Sequence, residues 1–306
     1  MMINDGPISV TAMNVARRSS GMAGNRDHDP RQDPHWSGER LIVKRDRTQQ
    51  WIALGQTASD EVVGPPGDSS EDSSRVRAGC VAPAVQLIRA SHPRVFGISG
   101  PAGAGKSTIA SAMSRSLANV GMRAVALSQD DFYLSRKERE RRGIAWRAAP
   151  GSHDLDLMAR TLAAIQNGSR PLFLPRFDPS RDNRSGDECL EEAPDVVVFD
   201  GWIVGYDGDG YGRILPYLDW HLHLDVPTDV ARDRRFDRET RLREQTGRAF
   251  TPEEMEQFWD EVLGPGMDTW VRASAEHADI VVSLAGTGPS CLAEPRLDEF
   301  LPAGPE

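Results

Sequence analysis

The chain has 306 residues, enough for one large or two small domains around a substantial core, and its 46 acidic against 36 basic side chains give a formal net charge of −10. That balance argues against a broad phosphate-backbone-binding face, and so against a nucleic-acid partner, while leaving room for a local basic patch on a small anion. No apolar run is long enough to span a bilayer, no apolar signal core follows Arg17-Arg18, and Cys80, Cys189 and Cys291 are scattered without metal or redox spacing, which together predict a cytoplasmic protein with no membrane partner.

Residues 1–85 are rich in Asp, Arg, Ser, Gly and Pro and are expected to form a disordered N-terminal extension, with only Leu41-Ile42-Val43 and Trp51-Ile52-Ala53-Leu54 suited to short ordered pieces. A globular domain is expected over 86–285, opened by a short helix at Val85-Gln86-Leu87-Ile88. Val95-Phe96-Gly97-Ile98 reads as a buried strand and runs into Gly100-Pro101-Ala102-Gly103-Ala104-Gly105-Lys106-Ser107-Thr108. A helix follows, with Ile109, Met113 and Leu117 on one face and Gly121 as its stop. Ala124 to Leu127 predicts a second strand, ending in Ser128-Gln129-Asp130-Asp131-Phe132-Tyr133. A helix capped at Asp154 carries Leu155, Met158, Leu162 and Ile165 and stops at Gly168. Leu174 to Arg184, with prolines and alternating charges, is expected to be a loop. Asp195 to Phe199 is a third strand, leading into Asp200-Gly201-Trp202; Trp220 to Val226 and Ile280 to Leu284 are a fourth and fifth. Between these last two lies an arginine-rich helical stretch carrying Arg232, Arg234, Arg235, Arg238, Arg241, Arg243 and Arg248. Thr251-Pro252-Glu253-Glu254 then opens a helix with a capping box, whose Met255, Phe258, Trp259 and Val262 belong to the core. Residues 286–306 are expected to be a loose tail. Buried strands alternating with helices predict an α/β fold, a mainly parallel sheet covered on both faces, with ligands at the strands' C-terminal edge.

The segment Gly100 to Ser107 fits G-x-x-x-x-G-K-[ST] between a strand and a helix, the setting in which backbone N–H groups and a helix N-terminus cradle a polyphosphate. In that reading Gly100 to Thr108 bind nucleotide, Lys106 neutralises β- and γ-phosphate charge, and the Ser107 hydroxyl meets Mg²⁺. Asp130-Asp131 sits just past a strand, where phosphoryl transfer needs a carboxylate to accept the hydroxyl proton; Asp130 is the expected base, and Asp131 joins it as a metal-side or substrate-side group. Asp200 closes the third strand, where a Walker-B acid would orient the metal. Arg176 and Arg184 flank an aromatic and suit the carboxylate of a small acid, with Tyr133, His153 and Asp178 on the same substrate side. Arginines of the helical stretch, Arg235 and Arg243 first among them, are expected to descend on the transferred group as a lid. Plain structural roles stand beside several of these: Asp131 as a turn cap, Asp154 as a helix cap, the arginine run as a salt-bridged exposed helix. A G protein's Asn-Lys-x-Asp and a transporter ATPase's Leu-Ser-Gly-Gly are both missing, so a purely regulatory nucleotide binder is the weaker reading.

Taken together, Gly-Ile-Ser-Gly-Pro-Ala-Gly-Ala-Gly-Lys-Ser, Ser-Gln-Asp-Asp-Phe-Tyr-Leu, Pro-Gly-Ser-His-Asp, Leu-Pro-Arg-Phe-Asp and Val-Phe-Asp-Gly-Trp resemble the phosphoribulokinase/uridine-kinase-like P-loop kinases, and within them the D-glycerate 3-kinases. The likeness runs from about residue 92 to 285 in order and leaves out the N-terminal stretch. It implies ATP- and Mg²⁺-dependent phosphorylation of a small molecule, D-glycerate to 3-phosphoglycerate, with uridine, pantothenate or another sugar acid as rival acceptors. It also implies that Asp130 is the catalytic aspartate. Two departures stand out: Asp200 replaces the family's usual Glu, and Phe177 its usual Tyr.

Overall fold

The computed structural model describes residues 40–45, 50–56, 81–247 and 249–283; the expectations for Arg248, Leu284, the 286–306 tail and the rest of 1–80 fall outside them. Two strands, β1 (Arg40–Arg45) and β2 (Gln50–Gln56), contain the two apolar stretches singled out within the extension, and they pair as an antiparallel hairpin. Helix α1, over 81–91, includes the expected Val85–Ile88 turn and precedes β3 (Val95–Ser99). After the glycine-rich loop, α2 (Lys106–Asn119) ends at Gly121, which takes φ +81 as a stop residue should. Next come β4 (Ala124–Ser128), a tight turn over Gln129–Phe132, α3 (Arg136–Arg141) and α4 (Leu155–Gln166), the last capped by the Asp154 carboxylate on the Leu157 N–H. β5 (Leu172–Asp178), β6 (Asn183–Leu190), β7 (Val196–Asp200), β8 (Trp220–Asp225) and α5 (Thr228–Thr246) follow. α6 (Pro252–Phe258) opens with the Thr251/Glu254 capping box, and the helical path continues to Glu276 through widened turns on both sides of Gly264-Pro265-Gly266, where the proline removes a donor. β9 (Ile280–Ser283) closes the sheet.

The seven-stranded sheet has the order β2-β1-β9-β8-β3-β7-β4. From β9 to β4 every neighbouring pair is parallel, and the β1–β2 hairpin adds antiparallel to the outer edge of β9. Side-chain alternation divides the central strands between two cores. Phe96 and Ile98 of β3, with Val196 and Val198 of β7, pack toward Ile109, Met113 and Leu117 of α2. Val95, Val197 and Phe199 face the other way, onto Met158, Leu162 and Ile165 of α4. Burial on both faces explains why these strands read as unbroken apolar runs. No helix among the described residues is long and apolar enough to cross a membrane.

The stretch Leu174 to Arg184 is a correction. It is not an irregular loop but most of an antiparallel ribbon, β5 with β6, turning through Pro179 to Asp182. Pro175, opposite Asp187, is tolerated because a two-stranded ribbon leaves one edge without a ladder to complete. β6 is exposed along nearly its whole length, so its sequence carries no buried face to announce it.

Candidate active site

The phosphate loop runs from the end of β3 into α2, and its shape depends on glycine. Gly105 caps α2 in the left-handed region at φ +87. Gly103, at φ +96, lies so close to α5 that a Cβ there would fall 2.2 Å from the Ala231 carbonyl oxygen. Pro101 and Ala104 are buried, and Ser107 and Thr108 stand exposed in the first turn of α2. Lys106 is buried and folds back, donating to the carbonyls of Gly100 at 2.9 Å and Pro101 at 2.7 Å. Burial drives its ammonium pKa down to about 8, against the opposing pull of Asp200 and Asp130 and with the added repulsion of Arg238 and Arg235.

Ser107 Oγ donates to Asp200 Oδ2 at 2.7 Å. Burial raises the Asp200 carboxyl to about 6, despite that hydrogen bond and Lys106 nearby. Among the described residues no three His, Cys, Asp or Glu side chains gather as a cation cage. The adjacent hydroxyl and carboxylate are two hard oxygens, a donor set that fits Mg²⁺, which retains water and draws on substrate phosphate rather than on an all-protein cage.

The two neighbouring aspartates have separate tasks. Asp131 closes a capping box on the Ser128 N–H at 3.2 Å, accepts the Phe177 N–H at 3.1 Å and pairs with Arg176 at 2.9 Å. The turn-cap role anticipated for it is present, and it also fastens the β5–β6 ribbon. The Asp130 carboxylate takes no part in those contacts. Its side chain reaches solvent, yet the protein surrounding it pushes its carboxyl above the usual range, against the Tyr133 phenol that hydrogen-bonds it and the Lys106 and Arg147 cations.

Tyr133 is buried, with its phenol held well above its ordinary pKa by burial and by Asp130. Its ring stacks on His153 at 4.4 Å and meets Phe177 edge-on at 5.5 Å. His153 Nδ1 shares a hydrogen bond with the Tyr211 hydroxyl at 2.6 Å, while Nε2 is buried without a partner. Burial lowers the imidazole to about 3, so it is neutral. Arg176 and Arg184 are brought to this wall, but both are engaged within the protein. Arg176 bridges Asp131 and Glu188, the latter at 2.5 Å, and Arg184 binds Asp154 at 2.8 Å. Asp178 is spent in the ribbon's turn, accepting from the Ser180 N–H at 2.8 Å and Oγ at 2.6 Å.

Of the two lid arginines named from sequence, the structure brings Arg235 to the phosphate loop: its backbone N is 3.3 Å from a Cβ built on Gly103. Its guanidinium pairs with buried Glu239. Arg243 lies two turns further along α5, about 12 Å by helical rise, is exposed, and acts on Glu253 rather than on the loop. Arg238 is the second arginine whose charge reaches Lys106. Arg147, a basic residue inside Ile144-Ala145-Trp146-Arg147-Ala148-Ala149 that no motif singles out, also acts by its charge on Asp130 and Tyr133.

A parallel α/β sheet with this loop after β3, Asp200 at the end of the adjacent β7 and Asp130 just past β4, the next strand over, defines a P-loop kinase. Residues 95–288 match the Phosphoribulokinase / Uridine kinase family, and the chain belongs to it. It is 33% identical over 138 residues to the uncharacterized kinase mug58 of Schizosaccharomyces pombe, a match spanning 38% of this chain and 48% of that one. Against the uridine kinase of Deinococcus deserti it is 29% identical over 215 residues, covering 68% of this chain and 93% of the relative. Against the chloroplastic D-glycerate 3-kinase of Arabidopsis thaliana it is 29% identical over 132 residues, 37% of this chain and 29% of that one. The solved D-glycerate 3-kinase of Cryptococcus neoformans var. grubii shares the fold, with a TM-score of 0.51 at 18% identity over 69% of this chain and 89% of the other.

Proposed function

We propose that the protein transfers the γ-phosphoryl group of ATP to the hydroxyl of a small acceptor, D-glycerate, giving 3-phosphoglycerate and ADP. The observation that carries this reading is Asp130: its partner Asp131 is consumed in capping and ribbon contacts, whereas Asp130 reaches solvent and lies close enough to Lys106 for their charges to act on each other. Asp130 takes the acceptor hydroxyl proton as that oxygen bonds to the γ-phosphorus and the bond to the bridging β–γ oxygen breaks. Backbone N–H groups of Gly103 to Ser107, the Lys106 ammonium and Arg235 hold the phosphates. Ser107 and Asp200 are the residues that would hold Mg²⁺, which supplies charge neutralisation on the phosphate oxygens. Arg176 and Arg184 shape the acceptor wall through Asp131 and Asp154.

Support for glycerate comes from the Gly-Ser-His-Asp, Pro-Arg-Phe-Asp and Asp-Gly-Trp segments and from the Arabidopsis relative. A uridine acceptor is the second reading, favoured by the longer match to the Deinococcus enzyme. The test is product identification: purified protein, Mg²⁺-ATP and D-glycerate should yield a phosphorylated acid that co-elutes with 3-phosphoglycerate, and 2-phosphoglycerate or no phosphorylated acid would contradict the assignment.

A further inference from the structure

Arg147 lies against the same aromatic wall as Asp130. Its guanidinium carbon lies 5.6 Å from the centre of the Phe177 ring. Phe177 meets Tyr133 edge-on at 5.5 Å, and the Tyr133 phenol hydrogen-bonds Asp130. The Arg147 charge acts on both Asp130 and Tyr133.

The backbone that carries Arg147 is held in place. Ala148 is buried and occupies the left-handed region at φ +79, a conformation disfavoured for a residue with a side chain unless its surroundings impose it. Those surroundings are visible: the buried Trp202 indole donates to the Ala148 carbonyl at 3.2 Å, and Trp202 follows Asp200 at the end of β7. The strand that presents the metal-side carboxylate therefore also fixes the segment bearing Arg147.

Among the three arginines on this wall, Arg147 has the weakest internal partners. Arg176 and Arg184 each hold a carboxylate within 2.9 Å. Among the described residues the polar partners of Arg147 are the Pro179 carbonyl and the Asp182 carboxylate, each at 3.4 Å, and Asp182 gives its other oxygen to Arg139 at 2.5 Å. A guanidinium left with long contacts keeps most of its N–H fork for a ligand.

We propose that Arg147 is the specificity-determining residue of the acceptor site, its guanidinium taking the carboxylate of a short hydroxy acid whose hydroxyl faces Asp130. The inference rests on the kinase reading above, and it moves carboxylate recognition from Arg176 and Arg184 to Arg147. A neutral nucleoside has no group for this contact.

The test is equilibrium binding to the full chain with Mg²⁺ and a non-hydrolysable ATP analogue. The probes are D-glycerate, L-glycerate, glycolate and lactate, each against its uncharged amide, on the wild type, Arg147→Ala, Arg147→Lys and Arg176→Ala. Arg147→Ala should weaken an acid by about 10- to 100-fold, as loss of a charge-assisted pair predicts, while the amides and the nucleotide analogue bind as before. Arg147→Lys should recover part of the loss, and Arg176→Ala should weaken acid and amide together. Equal loss of acid and amide in Arg147→Ala, no loss at all, or a wild type that never prefers acid over amide would each overturn the inference. If a hydroxy acid other than D-glycerate shows the Arg147-dependent preference, the inference stands and the D-glycerate reading falls. If D-glycerate is phosphorylated and Arg147→Ala binds it normally, the reverse holds.

Discussion

The Ser107 hydroxyl donates to the Asp200 carboxylate across 2.7 Å, tying the first turn of the phosphate-loop helix to the end of the adjacent strand. The pair lies close enough to Lys106 for the Asp200 and Lys106 charges to act on each other, and burial leaves both poorly solvated. Both ionisations register this: Asp200 is raised to about 6 and Lys106 lowered to about 8, each by burial first.

Nucleotide affinity should therefore be confined on both sides of neutral pH. Asp200 binds its proton more tightly in the folded protein than as a free carboxylate, so the anion a cation needs is present above about pH 6 and is lost as pH falls through that value. Lys106 holds its proton less tightly, so its positive charge is present below about pH 8 and is lost as pH rises past it. Titration of a fluorescent Mg²⁺–ATP analogue against pH should give a maximum between these values. Asp200→Asn should abolish the acidic limb, and Lys106→Ala the alkaline one.

Replacing the neighbouring aspartates should separate chemistry from architecture. Asp130→Asn should lower kcat by about 10²- to 10⁴-fold, the usual worth of a general base, with nucleotide-analogue binding and melting temperature retained. Asp131→Asn strips charge from contacts to Ser128, Phe177 and Arg176, and should lower stability by about 1–3 kcal/mol. Steady-state kinetics and thermal melts of both variants check the division.

Gly103→Ala should destabilise the fold by at least about 2 kcal/mol, because the added methyl meets the Ala231 carbonyl at 2.2 Å while the backbone remains at φ +96. Gly105→Ala meets open space and carries only the conformational penalty of φ +87, about 1 kcal/mol. Denaturant melts of the two variants should show this ordering.

The two lid candidates should part company. Arg235→Ala removes a cation beside the phosphate loop and should reduce kcat by about tenfold or more. Arg243→Ala, exposed near the end of α5, should leave kcat unchanged. Equal losses in the two would mean that α5 moves far more than its contacts in this state indicate.

What each residue faces decides how plainly the sequence announces its place. Val196 to Phe199 and Val95 to Ile98 are buried on both sides and so appear as apolar runs. The glycines and Lys106-Ser107 follow a pattern imposed by backbone geometry around phosphate. The β5–β6 ribbon is illegible because β6 is exposed along nearly its whole length and Pro175 mimics a breaker. Asp131 could be given two roles but not apportioned between them, since its contacts with Arg176 and Phe177 cross 45 and 46 residues of sequence. The place of Arg147 depends on the Trp202–Ala148 bond across 54 residues, and no local spacing encodes that.

The most direct measurement is acceptor-dependent ADP release by the full chain with Mg²⁺-ATP, comparing D-glycerate with uridine and using Lys106→Ala as the blank. Turnover is expected with D-glycerate, with little for uridine and none in the blank. Turnover with uridine alone would keep the P-loop chemistry but contradict the assignment of a carboxylate-bearing acceptor.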